Sequence, residues 1–157
     1  MAHYPVDHHL RPLYRLLAGL IGLGYVVFGL LAAAVSWGAP VFDRGGIWML
    51  GLRTNLAWSV LAIVIGAVVL AGVVIGRNVY HRVSTVAGWA LVVLGIFQMA
   101  ILQTSVNVLN FSMVNVLTCL VTGLLLITAG LYGRVGEPGR GHTDPGVGHE
   151  RDARVPA

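Results

Sequence analysis

Positions 83–133 contain no Asp, Glu, Lys, Arg or His, 51 consecutive residues in a chain of 157. Two passes through a bilayer need about 40 apolar residues, roughly 20 each. The run therefore predicts two membrane-spanning helices joined by a short polar connection at 104–112. Two more apolar segments precede it, giving expected helices at 13–36, 55–76, 83–103 and 113–133. At about 1.5 Å rise per residue each covers roughly 30 Å, the thickness of a hydrocarbon core. The expected connections are 37–54, 77–82 and 104–112. The fold class that follows is all-α: an integral membrane domain at 13–133, built as two antiparallel hairpins in a four-helix bundle. The first segment could also be read as a cleaved signal peptide, but its apolar run is long for that role and it is taken as a retained helix. Residues 1–12 form a polar N-terminal segment. Residues 134–157 are rich in Gly, Pro, His and charge without apolar periodicity, and are expected to be a disordered tail.

Arginine placement sets the expected direction, because basic residues collect on the cytoplasmic side. Arg11 and Arg15 precede or open the first segment, Arg77 and Arg82 flank the third, and Arg134, Arg140, Arg151 and Arg154 lie in the tail. Arg44 and Arg53 alone fall on the other side. Both termini are thus expected to be cytoplasmic. The aromatic residues agree, with Trp37, Trp48 and Trp58 at one boundary and Tyr14, Tyr80, Trp89 and Tyr132 near the other.

Composition reinforces this pattern. Hydrophobic residues make up 57% and charged residues 10%, against about 25% charged in soluble domains. The net charge of +4 does not suggest nucleic acid, since the Arg residues flank membrane segments and do not line a face with interleaved aromatics. The single Cys119 excludes an intramolecular disulfide and a CxxC pair. His3, His8, His9, His81, His142 and His149 are scattered, and no ligand set for a metal or other cofactor is expected. No Ser/His/Asp set, paired intramembrane carboxylate or phosphate loop is present, so no catalytic residue is assigned.

Small residues mark how the helices could pack. Gly72 and Gly76, Ala18 and Gly22, Ala62 and Gly66, and Ala129 and Gly133 are small-x-x-x-small pairs, which let helix backbones approach in lipid. Helices two and four also end alike, Gly66 and Gly76-Arg77 matching Gly123 and Gly133-Arg134 at an offset of 57. Ala18-Gly19 and Ala87-Gly88 are the corresponding match between helices one and three. The packing residues expected are Gly66, Gly72, Gly76, Gly123, Ala129 and Gly133.

Polar side chains gather in one region. Asn107, Asn110, Asn115, Thr118 and Thr122 lie before and within the fourth helix, with Asn115, Thr118 and Thr122 sharing one face. Asn55 and Ser59 lie at the same depth on the second. Gln98 is read as joining helices by a hydrogen bond. Two readings stay open: these amides and hydroxyls cap helices and tie connections together, or Asn55, Ser59, Asn107, Asn110, Asn115 and Thr118 line an outward-facing pocket for a neutral solute or lipid headgroup.

Several strings occur in order along residues 4–136: Tyr4-Pro5-Val6-Asp7-His8-His9-Leu10, Gly51-Leu52-Arg53-Thr54-Asn55, Ser105-Val106-Asn107-Val108-Leu109-Asn110-Phe111-Ser112, and Gly130-Leu131-Tyr132-Gly133-Arg134. Together they resemble a family of small four-helix membrane proteins of high-GC Gram-positive bacteria, catalogued as domain of unknown function 4383. The resemblance implies a bacterial plasma membrane and a four-pass topology; it brings no activity, substrate or site residue. The expected function is that of a non-enzymatic accessory or structural protein, touching membrane lipids and packing against another membrane protein or itself. The alternatives are a small transporter, channel or binder for a neutral solute or lipid through the polar pocket, and an envelope-lipid enzyme working through Asp43.

Overall fold

The computed structural model describes residues 10–133. The expected tail, most of the N-terminal segment and five of the six histidines lie outside the described residues. Four helices dominate: α1 (Arg11–Val35), α2 (Leu56–Ile75), α3 (Arg77–Ile101) and α4 (Met113–Leu131). All four are long and apolar enough to cross a membrane. Pro12 sits in the first turn of α1, where a missing N–H costs nothing. Asn55 caps α2, its Oδ1 accepting from the Trp58 N–H at 2.9 Å.

The third helix starts six residues before the expected position 83, so the presumed connection at 77–82 is helical. Gly76 alone separates α2 from α3. Its φ of +72° lies in the left-handed region that glycine enters without penalty. Arg15 of α1 stabilises this end by donating from Nε to the Val73 carbonyl at 2.9 Å, and from a terminal guanidinium nitrogen to the carbonyls of Val73 and Val74. These are last-turn carbonyls without intrahelical donors, and a cation suits the negative end of the helix dipole.

A two-stranded antiparallel ribbon, absent from the sequence reading, stands in the first connection: β1 (Trp48–Met49) and β2 (Leu52–Arg53). Leu50 and Gly51 turn between them with φ of +51° and +81°, positive at both central positions as tight hairpins require.

Helix α1 packs mainly on α2, and α3 on α4; the two pairs meet along α2–α3 and α1–α4. Each pair closes at a glycine crossing. A Cβ on Gly66 would lie 2.5 Å from the Gly22 carbonyl oxygen, and one on Gly123 would lie 2.8 Å from that of Gly88. Between helices the core holds Tyr25, Trp58, Val69, Tyr80, Leu91, Phe111 and Leu126. Tyr25 and Phe111 meet the Trp58 ring edge-on, at 6.5 and 4.6 Å between centroids. Tyr14 stacks on Tyr132 at 4.9 Å, bringing the start of α1 to the end of α4. That end, which also holds Gly76, is the terminal end; the opposite one, holding residues 36–55 and 102–112, is the connection end.

The two hairpins repeat each other. Buried positions Trp58, Ser59, Ala62, Gly66, Val69 and Gly72 of α2 map, 57 residues on, to Asn115, Val116, Cys119, Gly123, Leu126 and Ala129, all buried in α4. Ala18, Gly22, Tyr25, Gly29 and Ala32 of α1 map to Ser84, Gly88, Leu91, Gly95 and Gln98 of α3 at an offset of 66 (84 − 18). Both first helices have 25 residues and begin with Arg. The register of α1 on α3 is thus 66, not the 69 implied by matching Ala18-Gly19 to Ala87-Gly88. Three residues slide that match along the helix; burial fixes which glycines are equivalent.

Candidate functional site

At the connection end the buried amides are spent on backbone. Asn55 Nδ2 donates to the carbonyls of Asp43 (3.2 Å) and Val108 (2.8 Å). Asn107 Nδ2 donates to those of Leu102 and Phe111, and its Oδ1 accepts from the Phe111 N–H at 2.9 Å and from Gln98 Nε2 at 3.4 Å. Asn110 has a φ of +54°, a conformation Asn tolerates better than most residues, and its Nδ2 reaches the carbonyls of Gly45 and Thr54. Asn115 pairs with the backbone of Arg53: its Oδ1 accepts from the Arg53 N–H at 3.0 Å and its Nδ2 donates to the Arg53 carbonyl at 2.8 Å. The side-chain amide thus takes the place of a neighbouring strand along β2. The same oxygen accepts from the Ser112 hydroxyl at 2.7 Å, at the start of α4. Ser59 donates to the Asn55 carbonyl and shares a hydrogen bond with Thr54.

Five of the six candidate polar residues are therefore joined in one lattice that ties the second connection to the first. A buried amide left without partners costs about 1–3 kcal/mol, and here the lattice satisfies them. Thr118 stands apart: it is half-buried and bonds back to the Val114 carbonyl within α4.

Thr118 and Asn115 instead border a crevice of about 250 Å³ between α1 and α4. Ile21, Gly24, Tyr25 and Phe28 form one wall, Thr118 and Thr122 the other, and Leu50, Leu52 and Trp58 its end. The Tyr25 and Thr122 hydroxyls are 2.8 Å apart, and Thr122 donates to the Thr118 carbonyl at 2.6 Å. The buried Trp58 indole N–H has no hydrogen-bond partner among the described residues. Tyr25 escaped the sequence reading, and Trp58 entered it only as a boundary aromatic, because aromatic residues in apolar helices carry no signal separating core from lipid contact; the spacing of Thr118 and Thr122 was the visible half.

The packing residues serve different contacts. Gly66 and Gly123 sit at the crossings within hairpins. Gly72 instead meets Val83 across α2–α3, where an added Cβ would lie 2.8 Å from that side chain. Gly76 makes the turn, Ala129 is buried and its carbonyl accepts from the Tyr80 hydroxyl at 2.9 Å, and Gly133 packs on the Tyr80 ring. Gly22 and Gly88 complete the crossings; in the sequence Gly22 stands out as half of a small-residue pair, and Gly88 only within the Ala87-Gly88 repeat match.

Among the described residues no three His, Cys, Asp or Glu side chains converge. No family model, curated protein or solved structure matches the chain.

Proposed function

We propose that the chain is a non-enzymatic accessory protein of a bacterial plasma membrane that works by packing against another membrane protein or a second copy of itself. The observation that carries this reading is the lattice of amides bonded to backbone. The side chains that would have to greet a polar solute at the connection end are bound to backbone instead. Beside the exposed polar residues Arg44, Gln103, Thr104 and Ser105, that end presents large apolar side chains outward: Trp37, Leu50, Phe42 and Trp48 are 83, 72, 60 and 53% exposed, on a frame locked beneath them. The resemblance of residues 4–136 to the four-helix family supports the bacterial plasma membrane. Arg11, Arg15, Arg77 and Arg82 at the terminal end support cytoplasmic termini.

The test is the mass and composition of the particle extracted gently, through an affinity tag, from its own membrane. A stoichiometric second protein or a homo-oligomer, weakened by Trp37→Ala with Phe42→Ala, is the expected result. A monomer whose composition these substitutions leave unchanged contradicts the reading.

A second reading, a binder of a neutral lipid or solute, is favoured by the crevice between α1 and α4, where Tyr25, Thr118, Thr122 and the unpartnered Trp58 N–H border apolar walls. A small molecule that co-purifies with the native chain and is lost from Gly24→Leu would support it; equal retention by both would count against it.

A further inference from the structure

The repeat places a second groove, between α2 and α3, on the other side of the bundle. The two helices are joined at Gly76 and touch at Gly72 and Val83. Beyond that contact an apolar groove of about 330 Å³ opens, walled by Val64 and Val68 of α2 and by Val83, Val86 and Ala90 of α3. Arg82 borders it at the terminal end. Val64, Val68, Val86 and Ala90 are exposed, so in a membrane this surface faces hydrocarbon.

Arg82 distinguishes this groove. Five residues into α3, it lies about 8 Å along the helix from Arg77. It is exposed and makes no hydrogen bond or ion pair with any described residue. Asp43, the sole carboxylate among the described residues, is in the connection at the opposite end. Arg15 by contrast is occupied with the carbonyls of Val73 and Val74. The position equivalent to Arg82 in α1 is Leu16 (82 − 66), so the α1–α4 crevice has no such cation. An apolar groove that ends on a guanidinium with no carboxylate beside it among the described residues fits one kind of membrane molecule: an acyl chain carrying an anionic headgroup. Arg suits that headgroup because its planar fork bonds phosphate oxygens in pairs, and basic pockets between membrane helices bind anionic lipids on this principle.

We infer that the α2–α3 groove binds an anionic phospholipid, with one acyl chain lying against Val64, Val68, Val86 and Ala90 and the headgroup phosphate on Arg82. The inference is independent of the accessory role. It requires only that the helices stand in a membrane.

The test uses the full chain in detergent micelles, titrated with phosphatidylglycerol or phosphatidylcholine and read by native mass spectrometry. The natural protein should bind phosphatidylglycerol about fivefold more tightly than phosphatidylcholine, the effect of one arginine at an anionic headgroup. Arg82→Gln should bring the two lipids level, Arg82→Lys should keep most of the preference, and Arg77→Gln should leave it intact. Ala90→Trp, which fills an exposed part of the groove, should weaken binding of both lipids. Three results overturn the proposal: no preference in the natural protein, an undiminished preference in Arg82→Gln, or a protein helix cross-linked along the groove in native membranes.

Discussion

The two hairpins share their helix register, and the connection in the first is nine residues longer than that in the second, the difference between the offsets (66 − 57). The longer connection holds the β ribbon, Asp43, Arg44 and Arg53. The shorter one and the start of α4 supply Asn107, Asn110 and Asn115, of which Asn110 and Asn115 reach across to Gly45, Arg53 and Thr54. At the terminal end the hairpins do the same thing with different chemistry. Arg15 bonds the Val73 carbonyl, while at the equivalent place (73 + 57, 15 + 66) His81 Nδ1 lies 2.7 Å from the Gly130 carbonyl. The comparison teaches that the repeated helices supply a frame and that the unequal connections supply the lock. Glycine crossings set how closely helices approach, and amides set how the connection end is held.

The largest effect should come from breaking the shared frame. Gly66→Leu and Gly123→Leu each force a side chain onto a facing carbonyl, and should destabilise the bundle by about 3 kcal/mol or more, seen as a lowered Tm in detergent. Similar losses for both would support their equivalence; a neutral result for one would break it. Next comes the lock. Asn115→Leu strands the N–H and carbonyl of Arg53, and Asn110→Leu strands the Thr54 carbonyl, each at a cost of about 2 kcal/mol. Either should also free the ribbon to proteolysis without disturbing the helix content measured by circular dichroism. Smaller still, Arg15→Gln should cost about 0.5–1 kcal/mol through the helix C-terminus, and His81→Gln at the equivalent place should cost no more. The smallest effect on stability belongs to Trp37→Ala, within about 0.5 kcal/mol for so exposed a residue, although partner capture should fall.

Much of this architecture is legible in the sequence because charge-free apolar runs have one stable use, and four of them mark four helices. The start of α3 was not, because Arg77, Asn78, His81 and Arg82 read as a loop while helix propensity tolerates them at an interface. Strands of two residues carry no alternation to detect, so the ribbon was invisible. The polar cluster was visible, and its six residues were named from spacing alone. What spacing could not decide was the direction of each amide: toward solvent, as a site needs, or toward the backbone across the cluster. That depended on Asn110 adopting a positive φ and on β2 offering its free edge to Asn115, both long-range consequences of the fold. Tyr25 and Trp58 at the crevice, like Arg82 at its groove, became functional candidates only once the helices were placed side by side.

The central claim is that the polar residues at the connection end form a structural lock. Hydrogen–deuterium exchange of the full chain in lipid nanodiscs tests it most directly, read at the amides of Arg53 and Phe111, whose acceptors are the side-chain oxygens of Asn115 and Asn107. A lock predicts protection approaching that of the helix interiors, lost at Arg53 in Asn115→Leu. Exchange at the rate of an open loop, in the natural protein, would contradict it.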